Sequence, residues 1–315
     1  MVYVTRYCDY VLPTLHDWQA RGLRCALLTL IGTTGSTPRP LGSQMAVCET
    51  GEAVGMITGG CAEAALITDA LSAIERGRNH VDIYGEGSPY KDITLPCGSG
   101  LRVYFDVLIE PQTISRLIEQ REKRQSVGLF IDPISHISGI VDQVTTLSSH
   151  NRAESFIRPY RPEGRVIIAG HGPMVSALVH LVLQSEMRPV VYSPDEQIRA
   201  ELADIIEVNP LRSGGDVKAH RLDSSEALVL LFHDHGLEAD ILREALLSDA
   251  FYIAALGSPR THKKRCETLA DLGVPPDELN RLHGPAGLDI GARSPPEIAL
   301  SIMAQLVSYW RQGFQ

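Results

Sequence analysis

No apolar run in this 315-residue chain approaches the roughly 18 to 20 residues that span a bilayer, and its opening stretch, "MVYVTRYCDY", lacks the basic-then-apolar order of an export signal. A membrane partner is therefore not expected, and a cytoplasmic protein is. Positive charge is also in deficit: 29 Lys and Arg face 38 Asp and Glu, for a net charge of −9. Nonspecific nucleic-acid binding needs a basic face, so no nucleic-acid partner is expected. The six cysteines (Cys8, Cys25, Cys48, Cys61, Cys97 and Cys266) form no C-x-x-C pair. The spacing of a zinc or iron–sulfur site is thus missing, and reduced thiols are the expectation. No G-x-S-x-G elbow is present to support a Ser/His/Asp triad, and no internal repeat or low-complexity tract breaks the chain.

What is present is a globular composition, 44% hydrophobic and 21% charged, in a length that suits two ordinary domains. "LRCALLTLIG" (23–32) reads as a buried strand, and "SQMAVCE" and "AVGMIT", with Thr50 and Gly51 in the turn between them, read as a hairpin. After Gly59 and Gly60 the period changes. Ile67, Ala70, Leu71 and Ile74 fall at helical spacing and Gly77 closes the helix, which puts Cys61 at or beside its N-terminus. "LPCGSGLRVYFDVLIEP" (95–111) alternates with period two, with Cys97 in the glycine-rich turn before the strand. From Arg165 the order becomes strand, glycine turn, helix, strand, the pattern of a doubly wound parallel sheet. The expected organisation is an N-terminal α/β domain over 1–112, a connecting segment over 113–162 that ends in "IRPYRPEG", and a Rossmann-like domain over 163–315.

Several turns carry candidate chemistry. "GHGPMV" (170–175) resembles G-x-G-x-x-G, with Gly170 and Gly172 in place and Val175 at the third position. Asp195 lies 25 residues after Gly170, where a carboxylate would accept from a ribose hydroxyl. A nucleotide or other phosphate-bearing ligand is one reading, and a structural βα turn is the other. At Cys61 the diglycine turn and the positive end of a helix favour a thiolate, against the plainer use of cysteine as a small buried residue. Cys97 and Gly98 sit in a second glycine turn. "GSTPRPLGSQM" (35–45) offers Ser36 and Arg39 to an anionic or heterocyclic ligand, or is an ordinary polar loop. "FHDHG" (232–236) presents His233, Asp234 and His235 as metal ligands or as a solvated turn. In "GSPRTHKKR" (257–265), Gly257, Ser258, Arg260 and His262 either recognise phosphate or begin a charged helix.

Taken together, "GSTPRPLGSQM", "GGCAEA", "LPCGSG", "IIAGHGPMVSAL", "ALGSPRTHKKR" and "LHGPAGLDIGARSPPEIALSIMAQL" resemble the XdhC/CoxI family, accessory proteins of molybdenum hydroxylases such as xanthine dehydrogenase. The chain differs from relatives at Ser99, where a glycine is common, and at Thr58, which precedes the diglycine. The resemblance implies a non-catalytic chaperone that binds molybdopterin (the molybdenum cofactor) and inserts it into an apo molybdenum hydroxylase. It further implies a cysteine desulfurase as sulfur donor, and a homodimer is expected. Cys61 and Cys97 would contact molybdenum or relay sulfur. Ser36, Arg39, Gly59, Gly60, Gly98, Gly170, Gly172, Asp195, Gly257 and Arg260 would bind the cofactor, in a cleft between the two domains. The rivals are an NAD(P)-dependent oxidoreductase using the Rossmann turn and a docking scaffold that binds no cofactor.

Overall fold

A computed structural model describes residues 5–6, 8–36, 39–87, 98–142, 144, 150–152, 155–218, 222–232 and 235–312. The chain divides into two compact units, Met1–Pro162 and Glu163–Gln315.

The first unit begins with β1 (Thr5–Arg6), α1 (Leu12–Ala20), β2 (Cys25–Thr34), β3 (Gln44–Cys48), β4 (Ala53–Gly55), α2 (Glu63–Arg76), β5 (His80–Gly85) and β6 (Gly100–Asp106). Its six-stranded sheet has the order β1-β4-β3-β2-β6-β5. The pairs are antiparallel except β1 with β4. Helix α2 buries Leu66, Ile67, Ala70, Ala73 and Ile74, one stripe at helical spacing, against Leu28, Leu30, Val103 and Phe105 of the sheet. It ends at Gly77, whose left-handed backbone (φ 63°) lets its N–H reach Ala73 O at 2.9 Å.

The stretch expected as a connector, 113–162, is instead part of this unit. It carries most of α3 (Pro111–Glu122), then β7 (Val127–Asp132), β8 (Ile137–Asp142), β9 (His150–Arg152) and β10 (Ser155–Tyr160). The four strands form an antiparallel sheet of order β8-β7-β10-β9. The physical reason is burial: Val127, Leu129 and Ile131 alternate onto one face and share a core with Ile114, Leu117, Phe156, Leu12, Leu15 and Tyr104. The first compact unit therefore extends past residue 112 to Pro162.

The second unit contains β11 (Arg165–Gly170), α4 (Pro173–Gln184), β12 (Arg188–Ser193), α5 (Glu196–Leu202), β13 (Glu207–Pro210), α6 (Gly214–Lys218), β14 (Glu226–Leu231), α7 (His235–Leu246), β15 (Tyr252–Ala255), α8 (Pro259–Asp271), α9 (Pro276–Leu279), β16 (Leu282–His283) and α10 (Pro295–Gln312). All six strands are parallel, in the order β13-β12-β11-β14-β15-β16. Numbered within the unit this is 3-2-1-4-5-6, the Rossmann order. Helices α4, α5 and α10 pack on one face through Val175, Leu178, Ile198 and Ile302. The other face takes α7 and α8 through Ile241, Leu242 and Leu269. Ser294 precedes α10, and its N–H and that of Arg293 donate to Glu297 Oε2 at 3.0 and 2.8 Å, so a first-turn carboxylate closes the helix start. Among the described residues no helix is long and apolar enough to cross a membrane.

Candidate functional site

Strand direction gathers the first unit's motifs. Because β2, β4 and β5 run opposite to β3 and β6, the carboxyl ends of the former and the amino ends of the latter share one sheet edge. The loops after β2, after β4 and before β6 all leave from it. Thr34 Oγ1 accepts from Gly100 N–H at 3.0 Å, and Glu86 N–H donates to Ser99 O at 3.1 Å, so two of these loops are tied together. Ser36 and Gly98 are exposed there, and no heavy atom lies within 4 Å of the place a Cβ on Gly98 would occupy. Arg39 is half-buried, with its guanidinium paired to Asp9 Oδ1. Cys97 lies outside the described residues.

Cys61 is an exposed free thiol, not a packed one. It follows Gly59 (φ 79°) and Gly60 (φ 108°) and stands two residues before α2. A Cβ on Gly60 would meet nothing within 4 Å, so its need for glycine comes from backbone conformation rather than crowding. Beneath this open turn lies Glu63, only 6% exposed. Its Oε1 accepts from Ile57 N–H at 3.2 Å and Thr58 N–H at 2.7 Å, and its Oε2 accepts from Gly60 N–H at 2.7 Å and from the Thr58 hydroxyl. Thr58 Oγ1 in turn accepts from Ala62 N–H at 2.9 Å. Burial pushes the Glu63 carboxyl up. The bonds from Thr58, from its own N–H and from Gly60 outweigh this and hold it below the ordinary carboxylate range.

In the second unit the carboxyl ends of parallel strands share an edge, where doubly wound sheets keep their ligands. Gly170 ends β11 at this edge, and Gly172, Asp195, Gly257 and Arg260 follow strands there. A Cβ on Gly170 would stand 2.7 Å from Leu231 Cβ and 2.9 Å from Leu231 O, so only glycine fits between β11 and β14. Gly172 (φ 77°) begins α4 without a side-chain cap. Val175, the departure from the glycine pattern, is fully buried in the core. Asp195 caps α5: its Oδ1 accepts from Gln197 N–H at 2.9 Å and from Ile198 N–H at 3.5 Å. Ser258 Oγ caps α8 by accepting from Thr261 N–H at 3.1 Å, and Arg260 is exposed. Below Gly257, buried Arg265 pairs with buried Glu238 and donates from Nη2 to Leu256 O at 2.7 Å. His262 Nε2 lies 3.6 Å from Cys266 Sγ. His233 and Asp234 lie outside the described residues, and among the described residues no group of three or more His, Cys, Asp or Glu could hold a metal ion.

Residue spacing does not reveal Asp9, Glu238 or Arg265, whose partners are distant in sequence. Glu63 did carry a signal: an acidic residue in the first turn of a helix, just after a glycine turn.

Two family descriptions match this chain, the XdhC Rossmann domain over residues 166–306 and the XdhC and CoxI family over residues 18–85. The chain is 32% identical over 287 residues to the molybdenum cofactor insertion chaperone PaoD of Escherichia coli (strain K12), covering 91% of this chain and 84% of that one. It is 22% identical over 315 residues to a protein of Bacillus subtilis (strain 168) described as a probable xanthine dehydrogenase subunit, covering 89% and 92%. Its fold matches a crystal structure described as a xanthine dehydrogenase from Bacillus halodurans, with a TM-score of 0.76 at 22% identity over 96% of each chain.

Proposed function

Because the chain belongs to the XdhC and CoxI family, we propose that it carries molybdopterin-bound molybdenum as cargo and inserts it into an apo molybdenum hydroxylase of the xanthine dehydrogenase type. The observation that carries this reading is the 32% identity to a molybdenum cofactor insertion chaperone across 91% of the chain. It acts in the cytoplasm, as a homodimer, and takes sulfur for its cargo from a cysteine desulfurase.

The donor set fits such a cargo. A metal that arrives already chelated needs only one or two further soft ligands, which thiolates supply. Cys61 offers an exposed thiol at a sheet edge where Gly60 and Gly98 leave open space. The bound cargo supplies a soft, thiophilic metal centre. The chain's residues hold and orient it: Cys61, with Cys97 as its partner, meets the metal or passes sulfur to it, and Ser36 and the loop of Arg39 receive the polar pterin. In the second unit, considered by itself, the Gly172 end of α4 and the Gly257 turn with Arg260 suit a phosphate-bearing ligand.

The test is to purify the protein from cells competent for molybdopterin synthesis and measure bound molybdenum and pterin. Wild-type protein should carry both, and the Cys61→Ser, Cys97→Ser double variant should lose molybdenum. Unchanged stoichiometry in the double variant rejects the thiol assignment. Wild-type protein that holds no cargo, yet still captures the hydroxylase, is a docking scaffold. The Rossmann strand order and the Gly170 turn favour one second reading, nicotinamide-dependent hydride transfer. Absence of NAD(H) binding at millimolar concentration removes it.

A further inference from the structure

The exposed thiol of Cys61 stands on a turn whose geometry is set from below. Two consecutive glycines at φ 79° and 108°, with open space around Gly60, form a segment with little intrinsic preference for one conformation. What orders it is one carboxylate: four donors from Ile57, Thr58 and Gly60 converge on the two oxygens of Glu63. Thr58 is the second half of the device. Its hydroxyl gives its proton to Glu63 while its lone pair takes Ala62 N–H at 2.9 Å, the backbone group directly after Cys61. The thiol residue is thereby held on both sides, by Gly60 N–H bound to Glu63 and by Ala62 N–H bound to Thr58. Both supporting side chains are buried, at 6% and 2% exposure, where a bond to an ionised acceptor is stronger than a neutral one in water.

We propose that Glu63 and Thr58 are positioning residues: together they lock the 57–62 turn so that Cys61 is presented, pre-ordered, to the cargo. Neither touches the cargo. Their effect is to remove the ordering cost that a free diglycine turn would impose when the thiol engages its target. This assignment rests on the cargo-carrying reading above for its purpose, but not for its geometry.

The experiment compares wild-type full-length protein with the Glu63→Gln, Thr58→Val and Thr58→Ser variants, by amide hydrogen exchange resolved to peptides covering 57–62 and by the rate at which bound pterin is released after dilution. Glutamine keeps the size of Glu63 but turns one acceptor into a donor facing Gly60 N–H. Valine keeps the shape of Thr58 without its hydroxyl, and serine restores the hydroxyl. Glu63→Gln and Thr58→Val should exchange about tenfold faster over 57–62, as expected for loss of a bond to a charged acceptor, and should release pterin faster. Thr58→Ser should behave as wild type in both. Exchange over β2 and β6 of the same unit serves as the folding control, and Thr58→Val serves if Glu63→Gln does not fold. Equal exchange over 57–62 in all four proteins overturns the lock. Faster exchange with unaltered pterin release overturns its role in presentation. If wild-type protein holds no pterin, the cargo reading fails and presentation with it, while the exchange data still decide whether the lock exists.

Discussion

Arg265 and Glu238 form an ion pair inside the Rossmann unit, 6% and 2% exposed, directly beneath the Gly257 turn. Arg265 joins α8 to α7 through Glu238 and to β15's end through Leu256 O at 2.7 Å. Removing one partner strands the other charge in the interior. Glu238→Gln is therefore expected to cost about 3–5 kcal/mol of stability. Trp310 packs on Phe251 with ring centroids 4.9 Å apart, so its fluorescence reports unfolding of this unit in denaturant. A midpoint equal to wild type would refute a structural role for the pair.

Asp195 serves α5 as its cap whatever ligand binds nearby. Asp195→Ala should lose about 1 kcal/mol, while Asp195→Ser, which can still accept from the helix N–H groups, should lose much less. The serine variant separates the two roles, because it caps without presenting a carboxylate to a ribose. If wild-type protein binds a dinucleotide and the serine variant binds it equally well, the ribose assignment is wrong.

His283 stacks on Tyr252 at 5.1 Å and lies 4.4 Å from Tyr309. Burial, and then the neighbouring His262, holds its pKa below the ordinary 6.5. The sign follows from which state protonates first. As pH falls through 6.5 the unfolded chain takes up the proton before the folded one, so stability should drop. The loss should level off once pH passes below the folded value. Denaturation midpoints between pH 5 and 8 check this, and His283→Gln should flatten the slope in that window.

Cys25 and Cys48 face each other across β2 and β3. Burial, and then Cys48, pushes the Cys25 thiol up to about 12. Native protein treated with iodoacetamide at pH 8 should therefore be alkylated at Cys61 and spared at Cys25 and Cys48, as mapped by peptide mass spectrometry. Denaturant should erase the difference. Protection of Cys61 in native protein would contradict its exposure.

The strands of the Rossmann unit were legible because parallel strands buried on both faces read as short apolar runs closed by glycine or polar turns, as in "RVIIAG" and "ALVLLF". Helix α2 was legible for a related reason: its apolar stripe and closing Gly77 are local signals. The sheet of β7 to β10 was not. Its residues 137–142 are mostly half-exposed, so alternation is weak there, and burial comes from a core shared with α1 and β6. The glycine turns could be found, and Glu63 in the first turn of α2 carried a local signal, but the four bonds that gather on its carboxylate beneath the turn were not legible.

Local chemistry written in the sequence thus determined the periodic elements, the glycine turns and the positions of Cys61, Gly170 and Asp195, because period and backbone freedom are properties of neighbouring residues. Only the tertiary structure decided that Arg39 meets Asp9, that Arg265 meets Glu238 and that three separate loops leave one sheet edge. Pairing of strands and burial of charge depend on residues far apart in the chain, and no spacing rule carries that information.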